Sequence, residues 1–204
     1  MLLISDPSVL RVPIQENGEE LVDLRSLREL LTDPRKSSVS RSSLSVRRSV
    51  AERLIKADQN LPSGTKLLII EGHRPLIIQK EYFGEYISEL RRLHPEWDSG
   101  KVLKEASKYV APPETIPPHS TGGAVDLTLA SSKGVELDLG TRVNVDPVES
   151  ENACFTKAPN ISQEASENRS TLIRVMLSAG FVNYPSEWWH WSYGDRYWAF
   201  ISGN

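Results

Sequence analysis

The sequence predicts an α+β fold, with a largely antiparallel central sheet flanked by helices. Three observations predict it. Helical and strand patterns are interleaved without the strict strand–helix–strand rhythm of a parallel sheet. Lys66-Leu67-Leu68-Ile69-Ile70 is a continuous apolar run of strand length, as expected of a buried central strand. Gly123 to Ala130 alternates, with Val125, Leu127 and Leu129 on one face and Ala124, Asp126 and Thr128 on the other.

The remaining elements follow from spacing and punctuation. Val46, Val50, Leu54, Ala57 and Leu61 recur at helical spacing, and Pro62-Ser63-Gly64 ends that helix in a turn. After the apolar run, Pro75 suits a first helical position, where its missing N–H is harmless. Tyr82, Tyr86 and Leu90 mark one face of the helix that follows, and Pro95 ends it. Ser99 is placed to cap a short helix through Val110. Residues 111–118 hold four prolines and are extended. Val135 to Leu139 is expected to pair back as a hairpin around Lys133-Gly134. Asp146 to Asn168 reads as an acidic loop, and Ser170 to Ala179 as a helix stopped by Gly180. Glu187 to Tyr193 and Arg196 to Phe200 read as two strands around Gly194-Asp195.

The 204 residues are read as one domain, residues 1–204, with residues 1–44 packing on or leading into the core. Lys and Arg total 24 and Asp and Glu 27, a net charge of −3, which lacks the basic surplus of a nucleic-acid-binding surface. Arg35 to Lys56 is locally basic and serine-rich, as expected of a surface loop feeding a half-exposed helix, the alternative being a basic docking patch for an anionic partner. The longest apolar run, Tyr197 to Ile201, is far too short to span a membrane. The first residues lack the basic stretch of a secretory signal, and the single Cys154 fits a reducing compartment, so a cytoplasmic location is expected. Oligomeric state is not legible.

Chemistry concentrates in three segments. His119 and Asp126 lie seven positions apart, a span of about 23 Å if extended. To share a metal, their ligating atoms must lie within about 4 Å, given zinc bonds near 2 Å. The chain must double back, and Gly122-Gly123 supplies the freedom to do so. The alternative is a turn leading into a strand whose Asp is merely solvated. In Glu187-Trp188-Trp189-His190-Trp191, a carboxylate and an imidazole sit in an aromatic run; nine of the 15 aromatic residues lie between Phe181 and Phe200. The alternative there is a core strand with a hydrogen-bonded His190. Glu187 and His190 face one site only if Glu187 lies in the entering loop or at a bulge. Glu71-Gly72-His73-Arg74-Pro75 closes the apolar strand, and Arg74 is suited to holding an oxyanion unless it is an ordinary ion pair with Glu71 or Glu81. His73 is expected to be structural and His94 a helix-end cap.

His119, Asp126 and His190 together give two imidazoles and a carboxylate, the ligand count of a catalytic zinc site with one position open for water. One cysteine excludes a Cys-rich structural site. Glu187 is then placed as general base and Arg74 as stabiliser of developing negative charge.

Gly72-His73-Arg74-Pro75, His119-x6-Asp126 with Gly122 and Ala124 inside it, and Glu187-Trp188-Trp189-His190 resemble the motifs of the VanX-type D-alanyl-D-alanine dipeptidases, members of the zinc LAS peptidases. Leu137-Asp138-Leu139-Gly140-Thr141 is also similar to the dipeptidase branch. The resemblance implies one zinc per chain on His119, Asp126 and His190, with Glu187 as base and Arg74 as transition-state stabiliser. It also implies a small, confined cavity and a D-amino-acid dipeptide as substrate. A D,D-carboxypeptidase or peptidoglycan endopeptidase is the alternative within the same chemistry. A non-enzymatic zinc module, as in the hedgehog branch, is disfavoured by the presence of Glu187 and Arg74. Three positions depart from the family's usual pattern: Pro117 replaces a serine, His73 a tyrosine, and Asn144 an acid thought to hold the substrate's amino terminus, with Asp146 two residues further on.

Overall fold

A computed structural model describes residues 2–36 and 38–204. Among the described residues, seven strands and six α-helices follow in the order α1 (Pro7–Leu10), β1 (Leu21–Asp23), β2 (Leu31–Thr32), β3 (Ser45–Arg47), α2 (Arg48–Gln59), β4 (Thr65–Glu71), α3 (Leu76–Leu93), α4 (Ser99–Ala106), β5 (Ala124–Ser131), α5 (Gln163–Ser178), β6 (Val182–Tyr184), β7 (Glu187–Ser192) and α6 (Arg196–Ser202). The main sheet has the order β2-β4-β5-β7-β6, and β1 pairs with β3 in a separate ribbon. Only the β2–β4 pairing is parallel, so the expected α+β class with a largely antiparallel sheet holds. The N-terminal region meets the core through these short strands: β1 lines up with β3, and Leu31 with Leu68.

The main core lies between the sheet and the helices α2 and α5. Leu67 and Ile69 of β4, Leu127 and Leu129 of β5, Leu54 of α2 and Val175 of α5 are all fully buried in it. Burying each such side chain is worth roughly 1.5–3 kcal/mol, which is why the apolar stripes choose this packing. A second, smaller cluster joins α3 to α4 through Phe83, Leu90, Val102 and Ala106. Among the described residues, no helix is long and apolar enough to cross a membrane.

Several boundaries differ from expectation. Arg196–Phe200 is not a strand but the body of α6. Asp195 caps it by accepting from the Trp198 amide at 2.8 Å, and Gly203 closes it in the left-handed region at φ 71°. Val135–Leu139 makes a single bridge, Glu136 with Ala130, instead of a hairpin strand. Helix α5 begins at Gln163, seven residues before the expected start, because Ser162 caps it. Asp98, not Ser99, caps α4 through the Lys101 amide. Val46 belongs to β3, and Pro75 stands at the cap of α3, one place before the first helical residue.

Candidate active site

The site is built on one row across the sheet. Asp126 of β5 stands opposite His190 of β7, and Glu71 of β4 stands opposite Asp126 on its other side. A register shift between Ile69 and Glu71 makes the second pairing possible. Ile69 faces Leu127, so uninterrupted pairing would set Ile70 against Asp126. The irregularity turns Glu71 toward the polar face and leaves Ile70 in the core.

His119 arrives from a different direction. Pro118–Thr121 forms one 3-10 turn, and Gly122 follows in the left-handed region at φ 68°. That geometry supplies the expected reversal between His119 and β5. The turn is pinned to the end of β4 at two points. The Arg74 amide donates to the His119 carbonyl at 3.1 Å, and His119 Nδ1 donates to the Gly72 carbonyl at 2.7 Å. The second bond leaves His119 Nε2 as the free lone pair.

His119, Asp126 and His190 come together as the three segments suggested. His119 Nε2 and His190 Nδ1 are 3.1 Å apart, and Asp126 Oδ1 lies 3.1 Å from His190 Nδ1 and 3.3 Å from His119 Nε2. All three side chains are buried. Ligand atoms about 2.0–2.1 Å from a tetrahedral cation stand about 3.3 Å from one another, so this triangle fits one face of such a site. Burial opposes charge on Asp126, but the flanking imidazoles outweigh it and hold the carboxyl well below the usual carboxylate range. Burial likewise opposes a charge on His119, yet Asp126 raises its pKa. The group thus combines two imidazoles with one ionised carboxylate, a donor set suited to a divalent cation.

Glu187 opens β7, and its Oε2 lies 4.0 Å from His190 Nδ1. The pairing of β6 with β7 jumps from Asn183–Trp191 to Tyr184–Glu187, so residues 188–190 are skipped in that ladder. Asn183 spans the gap, its Nδ2 donating to the carbonyls of Glu187 and His190 at 3.2 and 3.0 Å. This irregularity brings Glu187 and His190 to the same site. Burial pushes the Glu187 carboxyl up to about 7, although 24% of its side chain remains exposed to the cavity.

Of the two readings of Arg74, the structure shows the ion pair. Arg74 is ion-paired with Glu71, Nε to Oε1 at 2.7 Å and Nη2 to Oε2 at 2.8 Å, and it also lines the cavity beside His119, Asp126 and Glu187. Gln79 fixes the third corner by accepting from Nη1 at 3.0 Å, and the Tyr82 ring lies 5.0 Å from the guanidinium. Glu71 is 2% exposed; burial raises its pKa, but Arg74 overrides this and holds it low. Glu81 is not part of this network.

His73 sits outside the group, with Nδ1 2.9 Å from Ser42 Oγ. His94 is the C-terminal cap of α3 and stacks on Trp97 at 3.8 Å. Gln79 and Lys36 were missed by sequence reading. Lys36 also lines the cavity, with Nζ 3.8 Å from Glu71 Oε2. The cavity measures about 770 Å³, larger than the small, confined space implied by the resemblance. Pro117, Asn144 and Asp146 all line it, as do Tyr86 and Leu90 of the α3–α4 cluster.

A family model described as D-ala-D-ala dipeptidase matches residues 36–200. The chain belongs to this family. It is therefore a metallopeptidase. Among its relatives is a D-alanyl-D-alanine dipeptidase of Synechocystis sp., 30% identical over 217 residues, covering 93% of this chain and 88% of that protein. Another from Enterococcus faecium is 31% identical over 154 residues and covers 72% of each chain. The solved structure of VanYB in complex with D-alanine-D-alanine has the same fold, with a TM-score of 0.53 at 17% identity over 94% of this chain and 87% of that one. The residues that converge on the cavity, from Arg74 to His190, all lie within the matched segment.

Proposed function

We propose that this chain is a zinc-dependent D,D-dipeptidase that hydrolyses the peptide bond of D-Ala-D-Ala. The observation that carries this reading is the convergence of His119 Nε2, Asp126 Oδ1 and His190 Nδ1 within 3.1–3.3 Å, with Glu187 and Arg74 on the same cavity. Zinc held by these three residues supplies Lewis acidity and lowers the pKa of water to near neutrality. Glu187 accepts the attacking water's proton at its carboxylate and passes it to the nitrogen of the leaving D-alanine. Burial suits it to this exchange, because it raises the carboxyl's affinity for the proton it takes and returns.

Arg74 faces the charge that develops on the scissile carbonyl oxygen. Glu71 and Gln79 hold its guanidinium rigid, so little reorganisation is required at the moment of reaction. Asp146, in the cavity wall, supplies a carboxylate for the substrate's ammonium group, two residues beyond Asn144. Zinc-loaded protein incubated with free D-Ala-D-Ala at about pH 6–9 tests this reading. No release of D-alanine refutes it.

A second reading, cleavage of D-Ala from longer cell-wall peptides, is favoured by one observation: a cavity of about 770 Å³ exceeds what an alanine dipeptide fills. Rates on the free dipeptide and on a muramyl pentapeptide decide between the two.

A further inference from the structure

Arg169 is 2% exposed in α5, and among the described residues no carboxylate lies within hydrogen-bond reach of it. Its guanidinium instead donates to three main-chain carbonyls: Nε to Leu139 at 2.7 Å, Nη1 to Phe155 at 2.6 Å and Nη2 to Ala153 at 2.8 Å. Burial lowers its pKa to about 10, so it remains charged at neutral pH. Holding an unpaired cation inside a protein is costly, several kcal/mol even after relaxation. A core that needed only stability would be served as well by an apolar side chain.

All three carbonyls belong to the long connection between β5 and α5. That connection carries Asn144 and Asp146 in the cavity wall. It also holds the strand that bears Glu187. The Trp188 amide donates to the Cys154 carbonyl at 3.1 Å, and the Thr156 amide donates to the Pro185 carbonyl at 2.9 Å. The Trp188 indole donates to Thr141 Oγ1 at 2.8 Å, and the Arg169 guanidinium lies 5.4 Å over the Trp188 ring. The packing leaves no slack. At Gly140, φ +86°, an added Cβ would stand 2.6 Å from Ile161 Cγ2 and 3.3 Å from Arg169 Nη2.

We propose that Arg169 is a positioning residue for the reaction: its three-way grip on Leu139, Ala153 and Phe155, with Trp188 beneath it, sets Glu187 against the cavity wall. The proposal rests on Glu187 being the base. It assigns Arg169 no contact with substrate. A displacement of about 1 Å at a reacting group can cost about 100-fold in rate, so a loosened grip is read in turnover.

The test compares Arg169→Lys, which keeps a charge but not the planar fork, with Thr141→Val, which removes only the bond to Trp188. In zinc-loaded protein, Arg169→Lys should lower kcat on D-Ala-D-Ala about 10- to 100-fold with zinc content unchanged. Thr141→Val should lower kcat at least about threefold with KM unchanged when rates are referred to folded, zinc-loaded protein, a correction that removes any loss caused by a smaller folded fraction. If Arg169→Lys does not fold, Thr141→Val decides. Turnover by wild type with undiminished kcat in the folded variants overturns the proposal. Absence of turnover by wild type refutes the peptidase reading instead. In that event a crystal structure of Thr141→Val decides this proposal: it must show Glu187 moved relative to residues 139–148, and unmoved positions overturn it.

Discussion

Glu187→Gln separates base chemistry from metal binding. Gln keeps the shape of the side chain and removes the proton acceptor. Glu187 Oε2 stands 4.0 Å from His190 Nδ1, outside the 3.1–3.3 Å triangle of His119, Asp126 and His190, so the ligand group survives the change. General base catalysis is worth about 100- to 10,000-fold, or about 3–5 kcal/mol of barrier, and the variant should lose that much kcat on D-Ala-D-Ala. The pH profile adds a second readout. In metal-free protein burial pushes Glu187 up to about 7. A neighbouring cation favours the carboxylate and moves the value down. Because the base works deprotonated, wild-type kcat/KM must fall as pH drops through a value below about 7, and Glu187→Gln must lack that limb. The assay is D-alanine release by protein of measured zinc content. A variant within tenfold of wild type, or one that keeps the acid limb, refutes the assignment.

Three further outcomes are expected. Zinc should raise the melting temperature of metal-free protein, since a ligand at about 1,000 times its Kd adds about 4 kcal/mol, and calorimetry showing no shift would remove the metal site. Glu71→Ala leaves Arg74 buried without its carboxylate and should cost about 3–5 kcal/mol in urea unfolding; a loss below about 1 kcal/mol would mean the pair does not anchor Arg74. Gly72→Ala sets a Cβ 2.4 Å from the Ser45 carbonyl oxygen and displaces the carbonyl that receives His119 Nδ1. Zinc affinity should fall about 10- to 100-fold, checked by competition with a chromogenic chelator, and unchanged affinity would deny Gly72 that role.

Much of the architecture was legible because burial imposes periodicity. The run Lys66–Ile70 and the alternation from Gly123 to Ala130 became β4 and β5, the strands with the most buried apolar residues. Strands of two or three residues, such as β1, β2 and β6, are too short to carry a period. Helix α6 was misread because Tyr197–Ile201 is uniformly apolar, which reads as a strand. Asp195 was the better guide, since a cap reports the backbone and not merely hydrophobicity. The His119, Asp126 and His190 cluster was legible because few residue types bind metals. The clamp on Arg74 was not. It depends on a register shift between Ile69 and Glu71 and on Gln79 from the helix beyond, and neither leaves a local signal.

The cross-strand row of Glu71, Asp126 and His190 has a consequence for assembly of the chain. Strand side chains alternate, so a slip of one residue between β5 and β7 would send Asp126 or His190 to the opposite surface. A sheet zipped one notch off would still hide much of its oily surface, yet it would present an incomplete claw. An ion held by this row would act as a proofreader, adding its binding energy to the correctly threaded molecule alone.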